Sequence, residues 1–531
     1  MSSDEIIETL ELQAKLLELH GANSFKVKAF QNASFRLNKM RYNFDGKSSG
    51  EITTIEGIGK GISSFIIDLI SKGSVQEHDE LLNKTPVGII DIMQIKGLGP
   101  KKIRAIWQEL GCETPMELLY ACNENRLSTL KGFGSKTQQT VIENIQFMMA
   151  NASKKHYAAV ESQVENLLSF VREQYPGIQI EVCGDYRRKC EVLDKIEILT
   201  DMPIELSAMA KFIGIPIAIH QVASNEFIYH LFANTGSEDH LKQIELYKID
   251  VREFTNEEEL YKALQLPFIE PELREGLKEV DLARKGKLPK LIEYSDLKGI
   301  LHNHTTYSDG THTLKEMADY CVELGFQYLG ICDHSRSAAY AGGLSMERVE
   351  EQQAEIDALN RNYNGFKILK GIESDILSNG SLDYPDEVLA RFDFIVASVH
   401  SNLKMDEAKA NERLIKAIEN PYTSILGHPT GRLLLARPGY PVNHKKIIDA
   451  CAANKVHIEL NAHPYRLDID WRWIYYCLEK GVKVSINPDA HHKEGFHDMK
   501  FGVYAARKGM LTKEMCLNAL DLNELLKEFK K

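Results

Sequence analysis

No Cys-x-x-Cys pair occurs among the nine cysteines, so neither a cysteine zinc knuckle nor a disulfide framework is indicated. No apolar run approaches the ~20 residues that a helix needs to span a bilayer, and no membrane association is expected. The opening Met1-Ser-Ser-Asp-Glu lacks an apolar h-region, which makes a reducing cytoplasm the expected setting. A surplus of positive charge is missing too. The formal net charge of −12 argues against a generally basic nucleic-acid binder. The deficit is uneven, however. Residues 1–150 hold 17 Lys+Arg against 18 Asp+Glu, leaving −11 to the other 381 residues. The first part can meet DNA through local patches, whereas the rest needs metals or loops to accept phosphate. At 531 residues the chain exceeds one core, and three or four domains are expected.

Residues 1–150 carry apolar side chains at helical spacing, with little strand-like alternation. Three segments resemble one another: Glu56-Gly57-Ile-Gly59-Lys60, Lys96-Gly97-Leu-Gly99-Pro-Lys101 and Lys131-Gly132-Phe-Gly134-Ser-Lys136. Each is a Gly-apolar-Gly turn opening a helix. Two glycines permit a tight turn, and the free amides of the following helix start can hold a backbone phosphate. One such turn would be an ordinary packing unit. Three, at spacings of 40 and 35 residues, form a helix-hairpin-helix pattern for sequence-independent DNA backbone contact.

From residue 155 the pattern mixes helix and strand: a helix over Val164–Tyr175, then strands over Ile178–Cys183 and Lys195–Leu199. Residues 246–292 read as mostly helical, with Pro267, Pro271 and Pro289 marking turns. Beyond Asp296, seven apolar runs alternate with helices, near 298–302, 327–332, 367–372, 393–399, 423–427, 456–460 and 482–487. This is a β/α barrel pattern, and such barrels carry their chemistry at the C-terminal ends of strands. Those ends hold the metal-ligand residue types. His302, His304 and Asp309 follow the first run, and Asp333 and His334 the second. Glu373, His400 and His428 follow the third, fourth and fifth; Glu459 and Asn461 close the sixth, and Asp489 and His491 follow the seventh. Imidazole with carboxylate suits zinc, manganese or iron rather than calcium. A carboxylate such as Glu373 can bridge two ions. Asp333, beside His334, is expected to orient rather than ligate. His463 and His492 are expected nearby but outside the set.

Six pieces together carry a resemblance: HNHTTYSDG (302–310), CDHS (332–335), GIESDIL (371–377), ASVHS (397–401), GHPTGR (427–432) and DAHH (489–492). They make residues 296–531 resemble a PHP (polymerase and histidinol phosphatase) domain. The resemblance implies a distorted seven-stranded barrel with three divalent ions, zinc and/or manganese with iron as a further option. Its nine ligand positions fall on His302, His304, Asp309, His334, Glu373, His400, His428, Asp489 and His491. Arg432, Arg437 and Arg466 are candidate phosphate contacts.

The whole chain resembles bacterial family X DNA polymerases that carry hairpins at one end and a PHP domain at the other. The implied division is a helical DNA-binding region over 1–85 and a fingers-like helical region over 86–152. A palm over 153–245, a thumb-like part over 246–294 and the PHP domain over 295–531 follow. The palm motif, Gly184-Asp185-Tyr-Arg-Arg-Lys-Cys-Glu-Val-Leu-Asp194-Lys195-Ile-Glu197, departs from an active member. Family serine and aspartates are replaced by Asp185, Lys195 and Glu197. The strand Ile217–Val222, where the third aspartate belongs, has no carboxylate. Paired magnesium needs close carboxylates, so Lys195 speaks against magnesium in the palm, with a site rearranged around Asp194 and Asp201 as the alternative. The lysine of the family's deoxyribose-phosphate lyases falls on Phe65, which cannot form a Schiff base; Lys60 and Lys72 are the nearest substitutes.

The expected protein is a monomeric, metal-dependent DNA phosphoesterase of the bacterial cytosol. Its expected activity is a 3′→5′ exonuclease in DNA repair, with abasic-site endonuclease or 3′-end cleaning as related activities on single-stranded, gapped or damaged ends. The rival readings are an active gap-filling polymerase and a phosphatase acting on a small phosphomonoester.

Overall fold

Each hairpin turn is built as its glycines demand. Gly57, Gly97 and Gly132 have φ of +78°, +85° and +91°, a left-handed conformation that disfavours any side chain. The residue between the glycines is driven inward: Ile58, Leu98 and Phe133 are all buried. Gly59 and Gly99 then cap Lys60–Lys72 and Pro100–Ala105 with no side-chain hydrogen bond, and Gly134 precedes Ser135–Asn151. The computed structural model describes residues 3–529 except 41, 56, 152, 206–212 and 245–253. Glu56 of the first hairpin and the domain limits expected at 152 and 245–246 therefore lie outside the described residues. Two units emerge, Met1–Ala152 and Ser153–Lys531.

The first unit is helical throughout, with one apolar cluster around Ile58, Phe65 and Ile66 and another around Leu98, Ile103 and Phe133. Lys60, Lys101 and Lys136 stay exposed beside their turns.

The second unit begins with the helix Tyr157–Gln174, whose buried face (Val160, Val164, Leu167, Val171) has helical spacing. It continues into a three-stranded sheet of β1 (Ile180–Cys183), β2 (Ile196–Thr200) and β3 (Ile217–Gln221). β1 and β2 are antiparallel, β2 and β3 parallel. The stretch expected to be mostly helical carries, among described residues, only Glu257–Ala263, a turn at Pro271–Leu273 and Glu279–Arg284. Helical spacing over-read this part, because Pro267, Pro271 and Pro289 interrupt it; an apolar cluster around Leu260, Tyr261, Leu273 and Val280 holds it together with buried ion pairs. Arg274, fully buried, reaches Glu257 at 2.5 Å, and His240 lies 2.7 Å from Glu279.

Seven strands follow: β4 (Gly299–Ile300), β5 (Tyr328–Ile331), β6 (Lys367–Asp375), β7 (Phe394–Ser398), β8 (Ile425–Leu426), β9 (His457–Asn461) and β10 (Val484–Asn487). All neighbours pair in parallel, and the order in the sheet is the order in the sequence. A parallel bridge between Asn303 and Ala490 links the two ends, so the sheet is a nearly closed barrel. Period-two alternation sends Leu369, Gly371, Glu373 and Asp375 of β6 to one face and Ile368 and Ile372 to the other. Phe394 fills the floor: a Cβ on Gly330 or Gly371 would come within 2.6 Å of its ring. Phe529, just past the helix Leu522–Glu528, stacks on Phe394 from below at 5.1 Å. The floor is thus apolar and closed, and polar residues collect at the opposite mouth.

Candidate metal centre

The ligand-type residues sit at or near strand ends, and three of them bend the backbone to get there. His302, Asp489 and His428 have φ of +58°, +51° and +20°. Glu373 is the hub. Its Oε1 lies 3.0 Å from His428 Nε2, 3.1 Å from His400 Nε2 and 3.3 Å from His302 Nε2. Its Oε2 lies 2.9 Å from His334 Nδ1 and 3.7 Å from His304 Nε2. Asp489 Oδ1 is 3.0 Å from His304 Nε2 and 3.6 Å from His302 Nε2. Asp309 Oδ1 is 3.3 Å from His491 Nε2 and 3.6 Å from His334 Nε2. All nine positions therefore meet in one connected cluster.

Three overlapping groups have donor atoms within 4.8 Å of one another: His304, Asp309, His334 and His491; His302, His304 and Asp489; and His334, Glu373 and His400. The donor set fits divalent cations on a further observation. Buried His302 Nε2, His304 Nδ1, His334 Nδ1, His428 Nδ1 and Glu373 Oε2 have no hydrogen-bond partner. Such orphaned atoms are costly unless something electrophilic meets them.

The electrostatics agree. Burial opposes charge on His302, yet Glu459, Glu373 and Asp489 outweigh it and hold that imidazole well above its ordinary value. Burial is likewise outweighed at His400, raised to about 10 by Glu373 and Asp375, and at His491, raised to about 9 by Asp309 and Asp489. His304 goes the other way, to about 3, through burial and the neighbouring His491 and His334. Despite burial, Glu373 and Asp489 are held well below the carboxylate range by the surrounding imidazoles.

Two carboxylates outside the nine orient the rings: Glu459, already noted at the end of the sixth run, and Asp375, not singled out from the sequence. Glu459 Oε2 is 2.5 Å from His302 Nδ1, and Asp375 Oδ1 is 2.5 Å from His400 Nδ1. Each fixes which nitrogen faces the hub, as carboxylates behind metal-binding histidines do. The signal for Asp375 was available: two residues after Glu373 in a strand, it shares the same face. Asn461 and Asn487 in turn hold Glu459, at 3.2 and 2.8 Å. Asp333 does not orient His334. It accepts hydrogen bonds from the Thr305 amide (2.8 Å) and hydroxyl (2.7 Å), the Ser308 amide (3.1 Å) and Gln352 (2.6 Å), and so pins the loop carrying Asp309. Buried His492 caps the next turn through the Gly495 amide at 3.0 Å.

The three arginines separate. Arg466 Nε lies 3.8 Å from Asp489. Arg432 binds Asp470 at 2.6 Å and the carbonyls of Arg466 and Leu467. Arg437 donates twice to the Gly431 carbonyl. Arg432 thus braces the loop at 466–470, and Arg437 holds the Gly431 carbonyl.

The palm cluster is differently made. Lys195 Nζ lies 2.9 Å and His220 Nε2 3.3 Å from Glu197 Oε1. Glu197 also lies against Gly184, where an added Cβ would fall 2.2 Å from its Oε2. Asp185 pairs with Arg188, which also reaches Glu275 at 3.2 Å. Asp201 accepts from the Gln179 amide (2.9 Å) and the Ser224 hydroxyl (2.8 Å). In the first unit, Phe65 packs edge-on against Phe30 at 5.1 Å, lining a cavity of about 510 Å³. Lys26, which also lines it, is paired with Glu77, and Lys72 with Asp68 at 2.8 Å.

A barrel-mouth cluster of this kind, carried on a chain with three glycine hairpins, defines the class: a PHP-type enzyme with helix-hairpin-helix modules. A PHP-domain family model matches residues 301–463, a helix-hairpin-helix domain matches 1–75, and a SAM-like helix-hairpin-helix tandem matches 89–146. The DNA polymerase/3′-5′ exonuclease PolX of Bacillus subtilis (strain 168) is 34% identical over 577 aligned residues, covering 99% of both chains. The chain therefore belongs to the PolX family. Other relatives match less of the chain. A probable phosphatase of Thermoanaerobacter sp. (strain X514) is 27% identical over 43% of this chain and 94% of its own. Another, of Clostridium acetobutylicum, is 30% identical over 36% and 78%. No helix among the described residues is long and apolar enough to cross a membrane.

Proposed function

We propose that this protein is a metal-dependent 3′→5′ DNA exonuclease of DNA repair whose working centre is the PHP cluster. The observation that carries the reading is Glu373, one buried carboxylate with five imidazoles, His302, His304, His334, His400 and His428, within 3.7 Å. Three divalent ions, zinc or manganese with iron as a further option, would be held by His302, His304, Asp309, His334, Glu373, His400, His428, Asp489 and His491. Bound there, such ions supply electrophilic pull on a phosphoryl oxygen and acidify a water molecule. The chain's own residues do the rest. Asp309, Glu373 and Asp489 concentrate negative charge that would repel an uncompensated phosphodiester. Asp375 and Glu459 keep the correct ring nitrogens aimed inward. Arg466 is the cation placed to meet an incoming phosphate.

The hairpins, with Lys60, Lys101 and Lys136 exposed, would grip the DNA backbone without reading sequence. We read the protein as a cytoplasmic monomer that takes single-stranded, gapped or damaged ends, with abasic-site cleavage or 3′-end cleaning as side activities. The division at 85/86, 152/153, 245/246 and 294/295 belongs to the same reading. The palm would retain its fold without magnesium or polymerisation, because Lys195 already neutralises Glu197. The B. subtilis relative's name includes both polymerase and exonuclease, and only the second matches the charges found here. The likeness to probable phosphatases favours a small phosphomonoester, but the hairpin unit gives such a substrate no use.

The test is an assay on end-labelled single-stranded, gapped and abasic DNA with a metal titration. Shortening from the 3′ end that His334→Ala removes is expected. Intact DNA alongside rapid hydrolysis of histidinol phosphate would overturn the reading. Primer extension with manganese that Glu197→Ala abolishes would overturn the palm assignment.

A further inference from the structure

Among the described residues of the second unit the two most exposed aromatic rings are Tyr340 at 73% and Tyr465 at 51%. Tyr340 sits on the turn Ala339–Ala341 beyond β5, with its ring centroid 6.1 Å from that of His334. Tyr465 precedes Arg466, the arginine beside Asp489. Its ring lies 4.4 Å from His156 and 5.2 Å from His463. His156 is itself tied down through the Leu434 carbonyl at 3.0 Å, so the Tyr465 ring is propped from behind. Neither hydroxyl has a hydrogen-bond partner among the described residues. Tyr340 thus stands beside His334, and Tyr465 adjoins in sequence the arginine that reaches Asp489.

We infer that Tyr340 and Tyr465 form a two-sided stacking clamp for the terminal nucleobases of a single-stranded 3′ end, an inference that rests on the exonuclease reading above. The cluster itself offers carboxylates and imidazoles, with Arg466 beside Asp489 as a cation for a phosphodiester. Every nucleobase has a π face, so stacking on tyrosine is sequence-tolerant, as a general exonuclease requires. A paired terminus cannot present its bases this way. The clamp therefore selects frayed or single-stranded ends before the phosphate reaches Arg466.

Two readouts on the full-length protein test it. The first is the ratio of kcat/KM on single-stranded DNA to that on the same strand ending in tetrahydrofuran abasic residues, which have no base. Tyr340→Ala and Tyr465→Ala should each lower that ratio about tenfold, and Tyr340→Phe and Tyr465→Phe should restore most of it. The second is the fluorescence of 2-aminopurine at the 3′ terminus of a phosphorothioate oligonucleotide, whose change on binding should shrink in both alanine variants. An unchanged ratio together with unchanged fluorescence would overturn the clamp. A wild-type protein that cuts no DNA yet alters terminal 2-aminopurine fluorescence through these tyrosines would overturn the exonuclease reading while supporting the clamp.

Discussion

The two charged clusters of the second unit invite comparison. Both lie at strand ends, and both descend from motifs of a two-activity family. In the palm, Glu197 is already met by Lys195 and His220, and Asp185 by Arg188. In the barrel, five buried polar atoms of the hub and its histidines have no hydrogen-bond partner, and three carboxylates face the same centre. A site that binds dications must leave its negative charge and lone pairs unspent. The barrel does so and the palm does not. Residue type alone would not separate them, since both contain histidine and carboxylate; the number of built-in cations does.

The sharpest way to break the comparison is to remove a barrel residue. Asp489→Ala or His334→Ala should reduce exonuclease activity to background and lower the metal content per chain, read by elemental analysis, while DNA retention in a gel shift persists. Normal turnover in either variant would mean that the chemistry lies elsewhere.

The next effect concerns stability. Glu257 bonds buried Arg274 at 2.5 Å and also Arg187. Glu257→Ala leaves Arg274 buried and uncompensated, at a cost of about 3–5 kcal/mol in chemical unfolding. The same pair gives an acid limit. Burial works against the Glu257 carboxylate, but the two arginines win and hold its pKa below the ordinary glutamate value. A carboxyl depressed in the folded state stabilises fully above its unfolded pKa, and that stability is lost as pH falls through the folded value. Unfolding midpoints should therefore drop as pH goes below about 4.5, with a shallower slope in Glu257→Gln. Equal slopes would remove Glu257 from the explanation.

Smaller still is the loss of a ring-orienting carboxylate. Glu459→Gln should weaken metal retention by about 10–100-fold in a chelator competition, with the fold unchanged. Affinity equal to wild type would show that His302 needs no partner behind it. The smallest effect belongs to the palm. Glu197→Ala should leave exonuclease activity intact and change stability by less than about 1 kcal/mol, because its pair with half-exposed Lys195 is screened by solvent.

Much of this was legible in the sequence. The barrel residues could be placed because each follows an apolar run, and parallel strands in chain order put run ends at one mouth. The hairpins could be placed because three glycines needed positive φ. The rest depended on geometry that spacing does not encode. β4 and β8 are two residues long, shorter than their apolar runs. Arg432 looked free until the loop holding Asp470 folded against it. Glu459 lies 157 residues from His302, and only closure of the ring brings them together. The exposure of Tyr340 and Tyr465 is likewise a property of the folded surface.

The bridge between Asn303 and Ala490 has a consequence for how the protein is made. Barrel residues span His302 to His491, and the last two follow the final strand. A chain emerging from the ribosome completes its DNA-gripping hairpins hundreds of residues before Asp489 exists. An interrupted synthesis therefore yields the helical unit without a complete ligand cluster.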